Sequence, residues 1–290
     1  MIWLVLSIIF SSVIYLIFRW FGNFGIQTFP AIVVNYFTAA GLGLLWFYSQ
    51  ESELPAVLSK PYSYPLVGLG VIFISIFYLM AVTAQKLGVS VSSVASKMAM
   101  TVPVLVFILI SDEDQLTILK AIGLIMALLG VWLTSAKPDM RVENKSLWLL
   151  PVVVFLGSGI IDLVLGVFSD ASYAKAASDH TLMTTLPFLS ASFIGTCALL
   201  FMGFQGKLRM GKKELIGGLG LGGINFCSIL FLVKAISSDF FQKSSLFPIN
   251  NLGIILFSIA LSVIIFREKI SAKNALGIAM ALGAIICFWL

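Results

Sequence analysis

The chain has 290 residues, 60% apolar and 11% charged, with a net charge of +5 and a mean hydropathy of +1.07. Soluble domains carry about 45–50% apolar and about 25% charged residues, so no soluble core absorbs this much apolar sequence without a large exposed greasy surface. These figures exclude a soluble globular enzyme, a disordered chain and a nucleic-acid binder, and leave an all-α membrane protein.

A bilayer core takes about 20 apolar residues per helix. Ten such runs follow one another, at 2–20, 28–48, 64–85, 89–110, 116–136, 147–168, 181–203, 213–235, 240–265 and 272–290. The first has neither a basic leader nor a small-residue cleavage site, so it reads as a retained span. The longest gap, 49–63, is too short for a soluble domain. Cys197, Cys227 and Cys287 lie inside apolar runs without metal-ligand spacing and read as small buried hydrophobes.

The runs repeat. At an offset of 154, Ala121, Gly123, Met126, Ala127 and Leu128 fall on Ala275, Gly277, Met280, Ala281 and Leu282. The preceding loops match in kind, Asp114-Gln115-Leu116-Thr117 on Glu268-Lys269-Ile270-Ser271, and upstream Phe77 and Ala81 fall on Phe231 and Ala235. A constant offset across a helix, a loop and a second helix argues for a repeat. The expected organisation is a first five-helix repeat at 1–136, a connecting loop at 137–146 and a second five-helix repeat at 147–290. An odd number of spans inverts the second half, and inverted repeats are a transporter architecture with the cargo site near the midplane.

Pro103 in the fourth run, the acidic loop Asp112-Glu113-Asp114 and Gly123 in the fifth together resemble the EamA-like branch of the drug/metabolite transporter superfamily. So does Phe266-Arg267-Glu268-Lys269-Ile270-Ser271 followed by Gly277, which is similar to that family's Gly-Glu-Arg-Leu-Ser/Thr loop and glycine. Asp-Glu-Asp replaces Gly-Glu-Arg in the first half, and Pro248 lies nine residues before the position that exact repetition of Pro103 implies. The resemblance covers nearly the whole chain. It implies a ten-helix secondary transporter, often an exporter of amino acids, related metabolites or drugs.

Charged groups at bilayer depth cost roughly 2.5–3.5 kcal/mol each, so their presence calls for a reason. Lys97 lies near the centre of the fourth run, and Asp162 about five residues from the midpoint of the sixth. Two readings stand: cargo-binding and proton-coupling groups in a cavity, or a buried pair that only joins the halves. At the repeat offset Ser96-Lys97 falls on Asn250-Asn251, each dipeptide beside a proline that can free a backbone carbonyl. Ser96, Lys97, Asn250 and Asn251 are therefore the first candidates for cargo binding, with Asn35, Asn225, Tyr15, Tyr78 and Thr101 behind them. Asp162 is the candidate proton carrier. Lys234 and Lys243 read as interfacial side chains that snorkel. Gly218-Leu219-Gly220-Leu221-Gly222-Gly223 opens an apolar helix without a preceding strand, so it reads as small-residue packing rather than a dinucleotide loop. His180, the one histidine, falls in a predicted loop, and no metal or cofactor is expected. Asn144-Lys145-Ser146 fits a glycosylation sequon.

Loops after odd-numbered spans carry twelve Lys and Arg residues and those after even-numbered spans five. That count puts both termini outside the cell, whereas the resembled family more often has them inside. No ATP-binding loop is present, so a proton or solute gradient is the expected energy source. The expected partners are a small-molecule cargo, the bilayer and protons as coupling ion, and the expected setting is a bacterial inner membrane, as a monomer or weak homodimer. A channel or non-transporting assembly partner is the alternative reading. An intramembrane enzyme lacks the clustered ligands or nucleophile it would need. Lys97 and Asp162 are expected to interact. In a transport assay, Lys97→Asp combined with Asp162→Lys should recover part of the activity lost in either single variant, and no recovery would count against the pair.

Overall fold

Unbroken apolar runs fold as helices because, in hydrocarbon, only a helix satisfies its backbone hydrogen bonds within one segment. The computed structural model describes residues 1–49, 63–110, 117–135, 147–168, 177–206, 208, 210–236 and 243–289. The acidic loop at 112–114, the sequon at 144–146 and the connecting loop lie outside these residues.

Among the described residues all regular structure is helical. In chain order the helices are α1 (Ile2–Asn23), α2 (Thr28–Tyr48), α3 (Ser63–Lys86), α4 (Val89–Lys97), α5 (Thr101–Ile110) and α6 (Ile118–Ser135). Then come α7 (Leu149–Phe168), α8 (Ala177–Phe204), α9 (Lys212–Ile236), α10 (Lys243–Phe266) and α11 (Ala272–Trp289). Among the described residues seven helices, with α4 and α5 taken together, are long and apolar enough to cross a membrane. Residues 118–134, 149–165 and 272–287 form shorter apolar helices. Side chains such as Phe193 and Ile264 are 70% and 73% exposed on the outer surface, as lipid-facing groups would be.

Helix α8 starts at Ala177, so His180 lies in a helix and not in the expected loop. The cysteines also depart from expectation. Cys197 is exposed and Cys227 and Cys287 are half-buried, because each sits toward the outer rather than the inner face of its helix.

The helices of 1–136 pack mainly on those of 147–290. The most extensive pairing is α6 with α11, followed by α2 with α9, α1 with α9, α3 with α8 and α2 with α8. Further pairs are α1 with α10, α3 with α7, α4 with α10 and α4 with α7. Among the described residues two large apolar cores result, beside a smaller one of Leu4, Ala235 and Leu246. One gathers Phe18, Ile32, Tyr36, Ile74, Phe188 and Leu221 from α1, α2, α3, α8 and α9. The other gathers Val94, Met98, Ala127, Val154, Ile255 and Ala281 from α4, the turn after it, α6, α7, α10 and α11.

Lipid tails are as apolar as leucine, so close backbone approach has to hold such helices together. A Cβ at Gly277 would stand 2.7 Å from the Thr134 nitrogen and 2.9 Å from the Gly130 oxygen, which makes glycine a requirement at the α6–α11 contact. The Asn274 amide donates across the same contact to the Thr134 carbonyl at 2.7 Å. Gly218 and Gly222 do the same for α9 on α2: a Cβ would lie 2.6 Å from the Ala31 oxygen or 2.7 Å from the Asn35 oxygen. That is the packing role expected of the glycine run. Replacing Gly277 with leucine should destabilise the protein by about 1–3 kcal/mol, read as a lower unfolding temperature in detergent.

Candidate functional site

The site begins with a proline. Pro103 has no N–H, and its ring crowds the carbonyl four residues back, which is that of Ala99. Helix α4 accordingly stops at Lys97, a 3-10 turn covers Met98–Met100, and α5 resumes at Thr101. Helix α7 comes close to this break through Gly159, where a Cβ would stand 3.1 Å from the Ala99 oxygen. Pro248 has no such effect, and α10 runs unbroken from Lys243 to Phe266. The two prolines therefore do not open both repeats, contrary to the sequence expectation.

Beside the break lies a cavity of about 240 Å³, many times the roughly 10–15 Å³ that one water needs. Tyr15 of α1, Ser96 and Lys97 of α4, Asp162 of α7, Asn225 of α9 and Asn250 of α10 line it. Lys97 ends α4 at the break. Ser158 and Asp162, one helical turn apart, share the cavity face of α7. Asp162 is exposed where it lines this cavity.

The hydroxyls of Tyr15 and Ser96 are hydrogen-bonded at 2.5 Å, and the Ser96 hydroxyl also reaches the Ser93 carbonyl at 3.3 Å. The Lys97 ammonium and Asp162 carboxylate act on each other electrostatically across the cavity. Among the described residues neither has a direct ion pair or a hydrogen bond. The Asn250 Oδ1 is buried and has no partner. The cavity thus presents a cation, an anion and an unmet acceptor, walled by Tyr36, Phe73, Phe77 and Phe188.

Other candidates lie elsewhere. Asn35 sits behind the lining, where its Oδ1 accepts from the Asn225 Nδ2 at 3.2 Å and its own Nδ2 is unpaired. Asn251 is rotated away from the cavity and its amide faces the Met100 sulfur at 3.3 Å, next to the break. Thr101 is buried with an unpaired hydroxyl and does not line the cavity. Tyr78 is 36% exposed on the outer face of α3, edge-on to Phe29. Its helix face turns it away from Phe77, which does line the cavity. Lys234 stacks over the Trp3 ring, its ammonium 4.8 Å from the ring centre. The Lys243 side chain is outside what the structure describes.

Sequence reasoning missed the aromatic wall. The Tyr36 hydroxyl donates to the Phe73 carbonyl at 2.9 Å and ties α2 to α3. Its one signal was its place beside Asn35. The aromatic residues are too frequent in these helices for pattern alone to single out four. Among the described residues no three His, Cys, Asp or Glu side chains gather as a metal site requires.

No family model matches the chain. It is similar to an uncharacterized protein of Haemophilus influenzae, 29% identical over 274 residues that span 89% of this chain and 87% of that one. Its fold is similar to a crystal structure of a protein at 15% identity, with a TM-score of 0.61 over 99% of this chain and 94% of the other.

Asn225→Ala should destabilise the protein by about 1–3 kcal/mol, because it leaves a second buried Asn35 atom unpaired. The double variant Asn35→Leu with Asn225→Leu should recover most of that loss in a thermal melt, since no polar atom is then orphaned.

Proposed function

We propose that the chain is a secondary transporter of the EamA-like branch of the drug/metabolite transporter superfamily. In this reading it crosses a bacterial inner membrane ten times, as two inverted five-helix repeats at 1–136 and 147–290. One helix start supports the repeat at the offset of 154: Ile118 corresponds to Ala272. The packing supports it too. Exchanging the halves turns α2 on α9 into α8 on α3, α1 on α9 into α7 on α3, and α1 on α10 into α7 on α4, all of which occur. The pairs α2–α8, α4–α10 and α6–α11 map onto themselves. Such a relation lets two halves rock about a central site.

The observation that carries the function is that Lys97 and Asp162, which make no direct ion pair among the described residues, face one cavity beside a broken helix. Two charges held only to join helices would close on each other, because an isolated charge at depth is costly. Two charges left open toward a shared space suit a cargo that brings the complementary groups. The cargo is a small metabolite with a cationic and an anionic end, such as an amino acid. Lys97 takes the anionic end, Asp162 and the Asn250 Oδ1 the cationic end, and the aromatic wall the apolar part. Asp162 also carries the coupling proton, which cargo binding displaces.

A thermal-shift screen of amino acids, sugars, nucleotides and cationic drugs on purified protein tests the cargo class. Stabilisation by a zwitterionic amino acid that disappears in Lys97→Ala is expected, and stabilisation only by cationic drugs would overturn the reading. In proteoliposomes Asp162→Asn should abolish uptake driven by a proton gradient while cargo exchange continues. Proton-driven uptake at the native rate would remove Asp162 from the coupling role.

A further inference from the structure

At one end of the helix bundle two carboxylates reach from one half of the chain to the other. Glu268, just after α10, accepts the Val89 N–H at 3.2 Å and the Ser90 hydroxyl at 2.6 Å, where α4 begins. Glu214, in the first turn of α9, accepts the Gln27 N–H at 3.0 Å, where α2 begins, and the Gly211 N–H at 2.9 Å. The first N–H groups of a helix have no partner within it and carry partial positive charge, so a carboxylate is well suited to both places.

The two contacts belong to one end of the molecule. The Gln85 amide donates to the Thr28 hydroxyl at 2.8 Å and to the Phe18 carbonyl at 3.0 Å, joining the start of α2 to the ends of α1 and α3. Arg19 donates to the Ala84 carbonyl at 3.3 Å and to that of Gln85. Three residues beyond Gln85 stands Gly88, next to Val89.

The backbone is shaped for the Glu268 contact. Gly88 has φ +113°, and a Cβ there would collide with the Glu268 carboxylate. Arg267 has φ +51°, a left-handed conformation that few side-chain-bearing residues adopt, and it turns the chain so that Glu268 points at α4.

The cavity begins below this end and runs away from it. Lys97 lies seven residues after Ser90, roughly 10 Å along the helix. Leu232, another lining residue, lies twenty residues after Lys212, roughly 30 Å from that end.

We propose that Glu268 and Glu214 are the two catches of a gate that closes the cavity at this end. Each grips the start of a helix in the other half, and both must let go before the cavity opens there. The proposal rests on the alternating-access reading above, and its test needs no cargo.

The test is carried out on the full chain with its three cysteines replaced by alanine and a reporter, Ser11→Cys, in the cavity lining. A membrane-impermeant thiol reagent is applied to right-side-out and to inverted vesicles. A separate Lys269→Cys variant identifies which preparation exposes the Glu268 end. The reporter should label slowly from that end and faster from the other. Adding Glu268→Ala with Glu214→Ala should raise labelling from the Glu268 end by about tenfold, in keeping with the loss of charge-assisted hydrogen bonds. Glu268→Gln, which keeps one acceptor oxygen, should give a smaller rise. Unchanged labelling from the Glu268 end overturns the gate. Equal increases from both ends overturn it as well, since they mean loosened packing rather than an opened end. Absence of transport by the chain with both glutamates intact, alongside the one-sided increase in the variant, would count against the transporter reading and leave the gate standing.

Discussion

In hydrocarbon a polar group finds no water, so each buried N–H, C=O or side-chain polar atom has to find its partner in the protein or remain costly. The fold follows from meeting that demand almost everywhere. Backbone groups pair within helices. Serine hydroxyls bond across helices, as Ser12 does to the Ile254 carbonyl at 3.3 Å. Where apolar attraction is weak, glycines such as Gly277 and Gly222 let backbones approach closely enough for dispersion to hold them. A few exceptions remain. Among the described residues Asn250, Thr101 and Asn35 keep unpaired atoms, and Lys97 and Asp162 face one cavity without a direct ion pair.

Much of this was legible in the amino-acid order because the membrane makes apolar length so informative. All helices with described bounds fall on the apolar runs read from the sequence, and the glycine run at 218–223 was recognisable as packing from its setting. Lys97 and Asp162 stood out because charge is rare at that depth. Less legible was the direction in which each side chain turns. Asn250 and Asn251 are neighbours in sequence, but a helix separates consecutive residues by about 100°, so one lines the cavity and the other faces Met100. Phe77 and Tyr78 differ in the same way. Helical periodicity locates such faces only when the polar face is wide, and these helices are apolar nearly all round.

The effect of the prolines was also hidden. Pro103 and Pro248 look alike on paper, but a helix ends before the first while α10 runs straight through the second. The Glu268 contact was out of reach for another reason. It joins residues 179 positions apart and depends on a glycine in the other half whose side is left empty for the carboxylate. Local pattern carries no trace of such a pairing.

The helices of 1–136 pack mainly on those of 147–290, and both large apolar cores draw on each set. That has a consequence for biogenesis. The first half is synthesised and inserted before α7 to α11 exist, and until they arrive Asn35, Lys97 and the glycine faces have only lipid or each other beside them. Completion of the second half converts a set of loosely associated helices into a fixed structure. A chain truncated after residue 136 is thus not a smaller version of this protein but an unfinished one.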